Sequence, residues 1–285
     1  MLRALTKAEA EKHLDFAYAL ALDQERSAYP TYADGIKTRE DFVSRTMQAF
    51  ERTHEELLLF EADGCAEGWV HYCALPADRC VMFHAFGARR LAAQAIDETI
   101  AYLAQKYPGC MLEFGMPAQN GEMIAHLEAL SFETLEDSLV NTLRFSDYAC
   151  REEESGITRI TRANFAEFAA LHAVHDEDMY WNNARIEPEV EKWDIYLLSR
   201  GGEPVGAICA YCIDGSMEIF SVDYQENRFD ETIFAALLTK LLNEGKRSGV
   251  KNMTFFCERA EQETVAACGF SHVGGYRLYA KRLPQ

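Results

Sequence analysis

The clearest pattern of apolar and polar positions lies in residues 193–246. Two apolar runs, 195–199 and 205–211, flank a turn that contains two glycines and a proline, which predicts a β-hairpin. A third apolar run at 217–222 predicts another strand, and apolar residues in 233–242 recur at the spacing of one helical face. A helix that begins where a strand ends directs its free backbone N–H groups to the sheet edge, where a phosphate group can bind.

The same order of elements occurs twice in the chain. Gly68 and Phe132 in the first half align with Gly206 and Phe270 in the second half at one constant offset. A period this long indicates tandem domains rather than a solenoid of short repeats. The segment between the halves is charged and lacks periodicity, which is typical of a linker. The predicted domains are 1–147 and 157–285, and the predicted linker is about 148–156.

Composition narrows the function classes. The chain has 285 residues, 48% of them hydrophobic, and a formal net charge of −18. This charge argues against nucleic acid and anionic membranes as partners and is compatible with a cationic substrate, although solubility alone also explains it. No apolar run is long enough to span a bilayer, and the first residues do not resemble a signal peptide, so we expect a cytoplasmic protein.

Each half is predicted to contain the order β-α-α-β-β-β-α-β-α-β-β, which places the chain in the α/β (α+β) class. This order resembles the GCN5-related N-acetyltransferase (GNAT) family. The family's closing helix and strand place an asparagine twelve residues before the phenylalanine of a Gly-Phe pair, and Asn120 and Phe132 keep that spacing in NGEMIAHLEALSF. The second copy keeps the Gly-Phe pair as Gly269 and Phe270. The resemblance implies a mixed, mostly antiparallel central sheet flanked by helices in each copy.

The segment after the third strand of the second copy resembles the acetyl-CoA-binding motif of the family. Val222-Asp223-Tyr224-Gln225 matches the opening of that motif. The resemblance implies acetyl-CoA as co-substrate and an N-acetyltransferase that transfers the acetyl group to the amine of a small molecule. The cofactor-binding residues it implies are Ser221, Val222, Gln225, Asn227 and Arg228.

This segment also departs from the family pattern. Arg228 and Asp230 stand where the family has small residues, and a carboxylate at a helix start repels a pyrophosphate. The family's tyrosine general acid is replaced by Leu127 in the first copy and by Val265 in the second. These departures favour the alternative of a non-catalytic ligand-binding or interaction protein with the same fold.

Glu218, on the third strand of the second copy, is the predicted general base. An ammonium group must lose a proton before it attacks a thioester, and the family often uses a glutamate at this place. An apolar sheet would raise the pKa of such a carboxyl. The alternative is an ordinary strand glutamate that faces solvent.

An acidic and aromatic stretch, HAVHDEDMYW at 172–181, lies where the first helices of the family border the acceptor site. Carboxylates and aromatic rings can hold a cationic amine through charge and cation–π contacts. The alternative is a helix end followed by a polar loop, and two histidines without a third ligand do not predict a metal site. The predicted substrate-binding residues are Asp176, Asp178, Tyr180 and Trp181.

Two questions stay open at this point. The first copy has Arg89 and Arg90 in its corresponding loop, and these arginines would suit phosphates if that copy carried the cofactor. The sequence also does not fix the oligomeric state, and a homodimer is one option.

Overall fold

Helices and strands alternate in the computed structural model largely as the sequence predicts. The structure describes residues 1–28, 38–177, 179–213 and 215–285. The predicted fold class is confirmed, because a mostly antiparallel central sheet is flanked by helices. No helix in these described ranges is long and apolar enough to cross a membrane.

The elements follow one another twice in similar order, joined by short turns and 3-10 segments. The first half contains β1 (Leu2–Ala4), α1 (Lys7–Ala21), β2 (Ser27–Ala28), α2 (Arg39–Met47), β3 (Glu55–Ala62), β4 (Cys65–Leu75), β5 (Cys80–Ala88), α3 (Ala92–Lys106), β6 (Met111–Pro117), α4 (Gly121–Ala129) and β7 (Glu133–Arg144). The second half contains β8 (Ile157–Arg159), α5 (Phe165–His172), α6 (Asn183–Ile186), β9 (Trp193–Arg200), β10 (Glu203–Ile213), β11 (Ser216–Tyr224), α7 (Glu231–Arg247), β12 (Asn252–Cys257), α8 (Gln262–Ala267) and β13 (Ser271–Arg282).

The described chain divides into two compact units. Unit 1 comprises Met1–Ser138 and Val273–Gln285, and unit 2 comprises Leu139–His272. This division differs from the contiguous domains 1–147 and 157–285 in the position of the closing strands. The alternation of apolar residues fixes which face of a strand is buried, but it does not say which sheet edge the strand joins.

The closing strands account for this division. β13 pairs antiparallel with β6 and so completes the sheet of unit 1. β7 pairs antiparallel with β12 and belongs to the sheet of unit 2 over Leu139–Arg144. The segment predicted as a linker packs on α7, because the side chain of Asn243 accepts hydrogen bonds from the backbone N–H of Arg151 and the hydroxyl of Tyr148.

The two sheets have equivalent topologies. Unit 1 has the strand order β1-β3-β4-β5-β6-β13, and unit 2 has the order β8-β9-β10-β11-β12-β7. The parallel neighbours are β5 with β6 and β11 with β12, and the other pairs along these two paths are antiparallel. A β-bulge interrupts the register at the same place in both units, and the extra residue is His84 in β5 and Phe220 in β11.

Each sheet is covered by helices on both faces. In unit 1, Leu57 and Trp69 pack in the cluster of α1 and α2, whereas Leu58 and Val70 pack in the cluster of α3. In unit 2, α5 and α6 cover one face, and α7 and α8 cover the other. The alternation of strand side chains therefore assigns every predicted site residue on a strand to a definite face.

Gly115 of β6 lets β13 join unit 1, because a Cβ atom there would overlap the side chain of Tyr276. We expect Gly115→Ala to lower the free energy of unfolding of unit 1 by about 1–3 kcal/mol, the usual cost of overpacking. Urea unfolding should show a lower midpoint, and Tyr276→Val in the same chain should restore part of the loss. Gly121→Ala is the matched control, since a Cβ atom there meets nothing within 4 Å. An unchanged midpoint for Gly115→Ala would contradict the pairing of β13 with β6.

Candidate functional site

The central parallel strands of unit 2 diverge after a short paired stretch. Ser216–Ile219 of β11 pairs with Asn252–Phe255 of β12, and the pairing then stops while β11 continues to Tyr224. Beyond Ile219, none of the described strands pairs with the side of β11 that faces β12. Phe220, Val222 and Tyr224 are partly exposed along this stretch. A strand edge of this kind offers N–H and C=O groups to an extended ligand.

In unit 1 the chain itself fills the corresponding space. Pairing of β5 with β6 ends at Met82, and the short strand β2 then pairs with β5, with Ser27 opposite Gly87 and Ala28 opposite Phe86. β2 also lies against β6. Ser27 and Ala28 are buried, and so is the whole end of β5 from Ala85 onward. The divergent strands of unit 1 are therefore closed by the protein's own backbone.

Asn120 strengthens this closure. Its side-chain amide donates a hydrogen bond of 2.7 Å to the backbone carbonyl of Ser27, and its Oδ1 accepts from the backbone N–H of Met123 at the start of α4. Asn120, the asparagine that matches the family's closing motif, is thus hydrogen-bonded to the backbone of β2.

The two arginines near the start of α3 are engaged within unit 1. Arg89 and Arg90 both form ion pairs with the carboxylate of Glu67, which is fully buried. Hydrogen bonds from Arg90 and then Arg89 lower the pKa of Glu67 to about 2. A phosphate group would have to compete with this carboxylate for both side chains.

A cavity of about 360 Å³ lies elsewhere in unit 1. It is lined by α3 and by the end of β13, including Ile100, Phe132 and Leu283. No residue predicted to bind acetyl-CoA or the acceptor lines it, so this cavity is separate from the candidate site.

The N-terminus of α7 lies beside the divergent strands of unit 2. Asp230 caps this helix, and its carboxylate accepts hydrogen bonds from the backbone N–H groups of Thr232 and Ile233. These bonds, with one from the Thr232 hydroxyl, hold the pKa of Asp230 below its usual value. An ionised cap therefore occupies donors that a pyrophosphate would otherwise use.

The residues predicted to bind acetyl-CoA follow one another along this strand and loop. The hydroxyl of Ser221 is buried and donates to Asp223, whereas Val222 packs against the cluster of α7. The loop between β11 and α7 forms a turn, in which the N–H of Asn227 bonds to the carbonyl of Tyr224. Gln225, Asn227 and Arg228 are exposed there, and Arg228 lies 3.7 Å from the carboxylate of Glu226.

A buried histidine–carboxylate pair lies on the α5 face of the same strand. Nδ1 of His172 is 3.0 Å from Oδ2 of Asp223, and Nε2 of His172 is 2.9 Å from the carbonyl oxygen of Trp181. Because both ring nitrogens face acceptors, both donate only if the ring is an imidazolium. Nε2 of His175, which is 32% exposed, lies 3.1 Å from the other oxygen of Asp223.

The pKa values of this pair shift in opposite directions. Burial alone would lower the pKa of His172, but the hydrogen bond to Asp223 and its charge raise the pKa above the usual value. Burial alone would raise the pKa of Asp223, but hydrogen bonds from His172 and His175 lower it. The result is an ionised pair that fixes α5 to β11.

The predicted base lies on the α5–α6 face. Glu218 stands opposite Tyr211 of β10 and Thr254 of β12 in the sheet register, two residues before the bulge at Phe220. It is partly exposed. The catalytic role of Glu218 stays a prediction, and its position on the strand that carries the bulge is compatible with it.

The residues predicted to bind the acceptor are already engaged within unit 2. The carboxylate of Asp176 accepts from the backbone and side chain of Asn183. The guanidinium carbon of Arg185 lies 3.8 Å from the centroid of the Tyr180 ring, and Trp181 packs against Phe220. Asp178 lies outside the described residues. A cationic acceptor would have to share these groups with the protein's own partners.

Two further groups near the unpaired edge of β11, Tyr224 and Glu261, were not predicted as site residues, and the charge of Glu261 acts on Tyr224. The hydroxyl of Tyr224 is buried and has no hydrogen-bond partner among the described residues. Burial, followed by the charge of Glu258, raises the pKa of Glu261 at the start of α8 to about 7. Glu261 is the first residue of the helix predicted at 261–267, and an acidic residue at a helix start is the available signal for it.

No protein-family model matches the sequence, and a search of curated proteins finds no match. Solved structures do match. A GCN5-related N-acetyltransferase from Sphaerobacter thermophilus has a TM-score of 0.64 and 17% identity, over 100% of this chain and 96% of its own. The chain has the GCN5-related N-acetyltransferase fold.

Further structures support the assignment of the GNAT fold. A tandem GNAT protein from the clavulanic acid biosynthesis pathway, described without AcCoA, has a TM-score of 0.57 and 12% identity, over 100% of this chain and 99% of its own. A GCN5-related N-acetyltransferase from Kribbella flavida has a TM-score of 0.56 and 12% identity, over 84% of this chain and 93% of its own. The resemblance to GNAT proteins predicted from the sequence is confirmed at the level of the fold.

Replacing Asp223 by Asn should remove the ionised pair with His172 and lower the free energy of unfolding by about 3 kcal/mol, the cost of leaving one partner buried. Because the pKa of His172 is raised in the folded state, its protonation stabilises the protein fully at pH values below the unfolded pKa of 6.5. This contribution to the free energy of unfolding is lost as the pH rises through the folded pKa. Because the pKa of Asp223 is lowered in the folded state, its ionisation stabilises the protein at pH values above the unfolded pKa of 3.8. This contribution is lost as the pH falls through the folded pKa.

Urea unfolding between pH 4 and pH 8 measures both effects. The difference between the wild type and Asp223→Asn should be largest between about pH 4 and pH 6.5 and should shrink at higher pH. Asp147→Asn, at an exposed position of unit 2, is the matched control and should change stability by less than about 0.5 kcal/mol. Parallel pH curves for Asp223→Asn and the wild type would rule out the ionised pair.

Proposed function

We propose that the protein is an N-acetyltransferase whose unit 2 binds acetyl-CoA and transfers the acetyl group to the amine of a small cationic molecule. One observation carries this proposal: the edge of β11 after the bulge has no strand partner among the described residues, whereas the equivalent edge of β5 is covered by β2. Among the described residues, the open edge in unit 2 therefore supports binding of an extended cofactor there rather than in unit 1.

The pantetheine arm of acetyl-CoA is long, flexible and carries two amide groups. Such an arm can bind to a free strand edge as an added strand would, with hydrogen bonds to the backbone. The buried hydroxyl of Tyr224 is a further donor at this edge, and a ligand carbonyl would satisfy it. In this arrangement the backbone N–H groups near Ser221 and Val222, next to the bulge, would polarise the thioester carbonyl.

The reaction requires one base and one acid. The acceptor ammonium loses a proton to Glu218, and the free amine attacks the thioester carbonyl carbon. The attacking nitrogen then gives up its second proton to water, and the C–S bond breaks to leave the amide and a CoA thiolate. His175, held by Asp223, is the second candidate for the base. Glu261, with a pKa of about 7, is partly protonated at neutral pH and can return a proton to the thiolate in place of the family's tyrosine.

The net charge of −18 favours a cationic acceptor over nucleic acid or an anionic membrane surface. We expect the protein to act in the cytoplasm. Whether it functions as a homodimer does not affect the proposed chemistry, because all the groups named above belong to unit 2.

The second candidate function is a non-catalytic ligand-binding or interaction protein. The cap at α7 favours it, because the carboxylate of Asp230 already accepts from two backbone N–H groups where a pyrophosphate would bind. At contact distance one exposed charge pair costs roughly 1 kcal/mol, which weakens CoA binding about fivefold without abolishing it. Arg228, exposed in the same loop, can offset part of this cost.

Calorimetry with acetyl-CoA, followed by assays of CoA thiol release with a panel of polyamines and aminosugars, tests the proposal. We expect binding of acetyl-CoA and turnover with at least one amine. Glu218→Gln should lower kcat by about 10²- to 10⁴-fold and leave acetyl-CoA affinity unchanged, since a base acts in the chemical step. Glu203→Gln, at the exposed start of β10, is the matched control.

The outcomes separate the candidates. Loss of turnover in His175→Asn but not in Glu218→Gln would transfer the role of the base to His175. No heat with millimolar acetyl-CoA would contradict the proposed function. Binding of acetyl-CoA without turnover of any amine would favour the non-catalytic alternative.

A further inference from the structure

Three ionisable side chains converge on the α1–α2 face of unit 1, on three adjacent strands. Glu55 is on β3, His71 on β4, and His84 is the bulged residue of β5. Nε2 of His71 lies 2.9 Å from Oε2 of Glu55, and Nε2 of His84 lies 3.7 Å from Oε1. One ligand atom from each of the three side chains lies within 4.8 Å of the other two.

The fold does not require polar groups at these three places. The sheet register aligns them with three positions of unit 2, whose side chains pack in the apolar cluster of α5 and α6. A copy of the same sheet is therefore stable with aromatic and thiol side chains there. The corresponding residues of unit 2 are Trp193, Cys209 and Phe220.

The three side chains place their ligand atoms around one centre, although without an ion some of these atoms bond to one another. Nε2 of His71 donates to the carboxylate of Glu55, so the neutral ring must change tautomer before this nitrogen can bind an ion. Nε2 of His84 lies 2.7 Å from a guanidinium nitrogen of Arg45, which can only donate, so this Nε2 carries a lone pair.

Two neutral imidazoles and one carboxylate are a common ligand set for zinc and similar divalent ions. The carboxylate of Glu55 is only 3% exposed, so it needs a positive charge nearby. Arg52 supplies one, with a terminal nitrogen 2.9 Å from Oε1, and Arg45 supplies a second, with its two terminal nitrogens each 2.9 Å from a carboxylate oxygen. The side chain of Arg45 is 30% exposed and reaches the cluster from α2, so it can move out towards solvent.

We propose that Glu55, His71 and His84 form a binding site for a divalent transition-metal ion of the zinc class, in which the guanidinium of Arg45 is the exchangeable cation. On binding, Arg45 leaves the cluster, and Nε2 of His71 gives up its hydrogen bond to Glu55 as the ring adopts the Nδ1–H tautomer. A fourth position remains for water or another ligand. This site lies in unit 1 and does not depend on the acetyltransferase proposed for unit 2.

Zinc chloride titrated into chelator-treated full-length protein by calorimetry tests the site. We expect one ion per chain in the wild type and zinc binding at least 100-fold weaker in His84→Phe. This substitution introduces the residue type that unit 2 has at its bulge, Phe220. Arg45→Met should tighten binding about tenfold, because it removes the guanidinium that occupies both oxygens of Glu55 and faces Nε2 of His84, while Arg52 stays in place. His126→Phe, which removes a histidine paired with Asp97 outside the cluster, is the matched control and should leave affinity unchanged.

Cobalt(II) provides the second readout, because its absorption distinguishes nitrogen and oxygen ligands from cysteine thiolates. The wild type should give a spectrum without thiolate bands, and His84→Phe should lose it while keeping the wild-type unfolding midpoint. Equal zinc affinity in His84→Phe and the wild type, or thiolate bands, would place the ion elsewhere and overturn the proposal. Binding by Arg45→Met alone would show that Arg45 does not exchange, and no binding by either protein would exclude the site.

Discussion

The structure depends on how each unit satisfies the backbone of two parallel strands that diverge. Backbone N–H and C=O groups that lose their strand partner must find another partner or remain open to solvent or ligand. In unit 1 the strand β2 provides the partner, and the end of β5 is buried as a result. In unit 2 no described strand takes that place along β11, and alternate residues there stay partly exposed.

This difference gives the two copies of one fold different properties. In unit 1, Asn120 donates to the carbonyl of Ser27 and so ties the closing strand to the start of α4. In unit 2, the buried pair of His172 and Asp223 fixes α5 to β11 without crossing the strand edge. The bulge positions differ in the same way, since unit 1 places His84 where unit 2 places Phe220. A duplicated sheet has thus kept its backbone while its two copies acquired different side-chain chemistry.

The sequence predicts the parts of this fold that repeat with a period. The face of α7 from Ile233 to Leu242 is apolar at helical spacing, and two glycines form the turn between β9 and β10. The acidic cap at Asp230 could be predicted because its position at the helix start is local in sequence. The duplication was likewise visible from aligned glycines and phenylalanines.

Other features have no local signal. β2 is two residues long and has no periodicity, so its insertion beside β5 could not be predicted. The contact of His172 with Asp223 joins residues 51 apart, and only the folded sheet brings them together. The exchange of β7 and β13 between the units has the same cause, because a strand's pattern does not identify its neighbour.

Hydrogen–deuterium exchange of the full chain with and without saturating acetyl-CoA tests the central claim most directly. We expect slower exchange of backbone amides in 220–234 of unit 2, where β11 has an unpaired edge, and no change in 84–95 of unit 1, where β2 covers β5. Protection of 84–95, or of neither segment, would contradict the account.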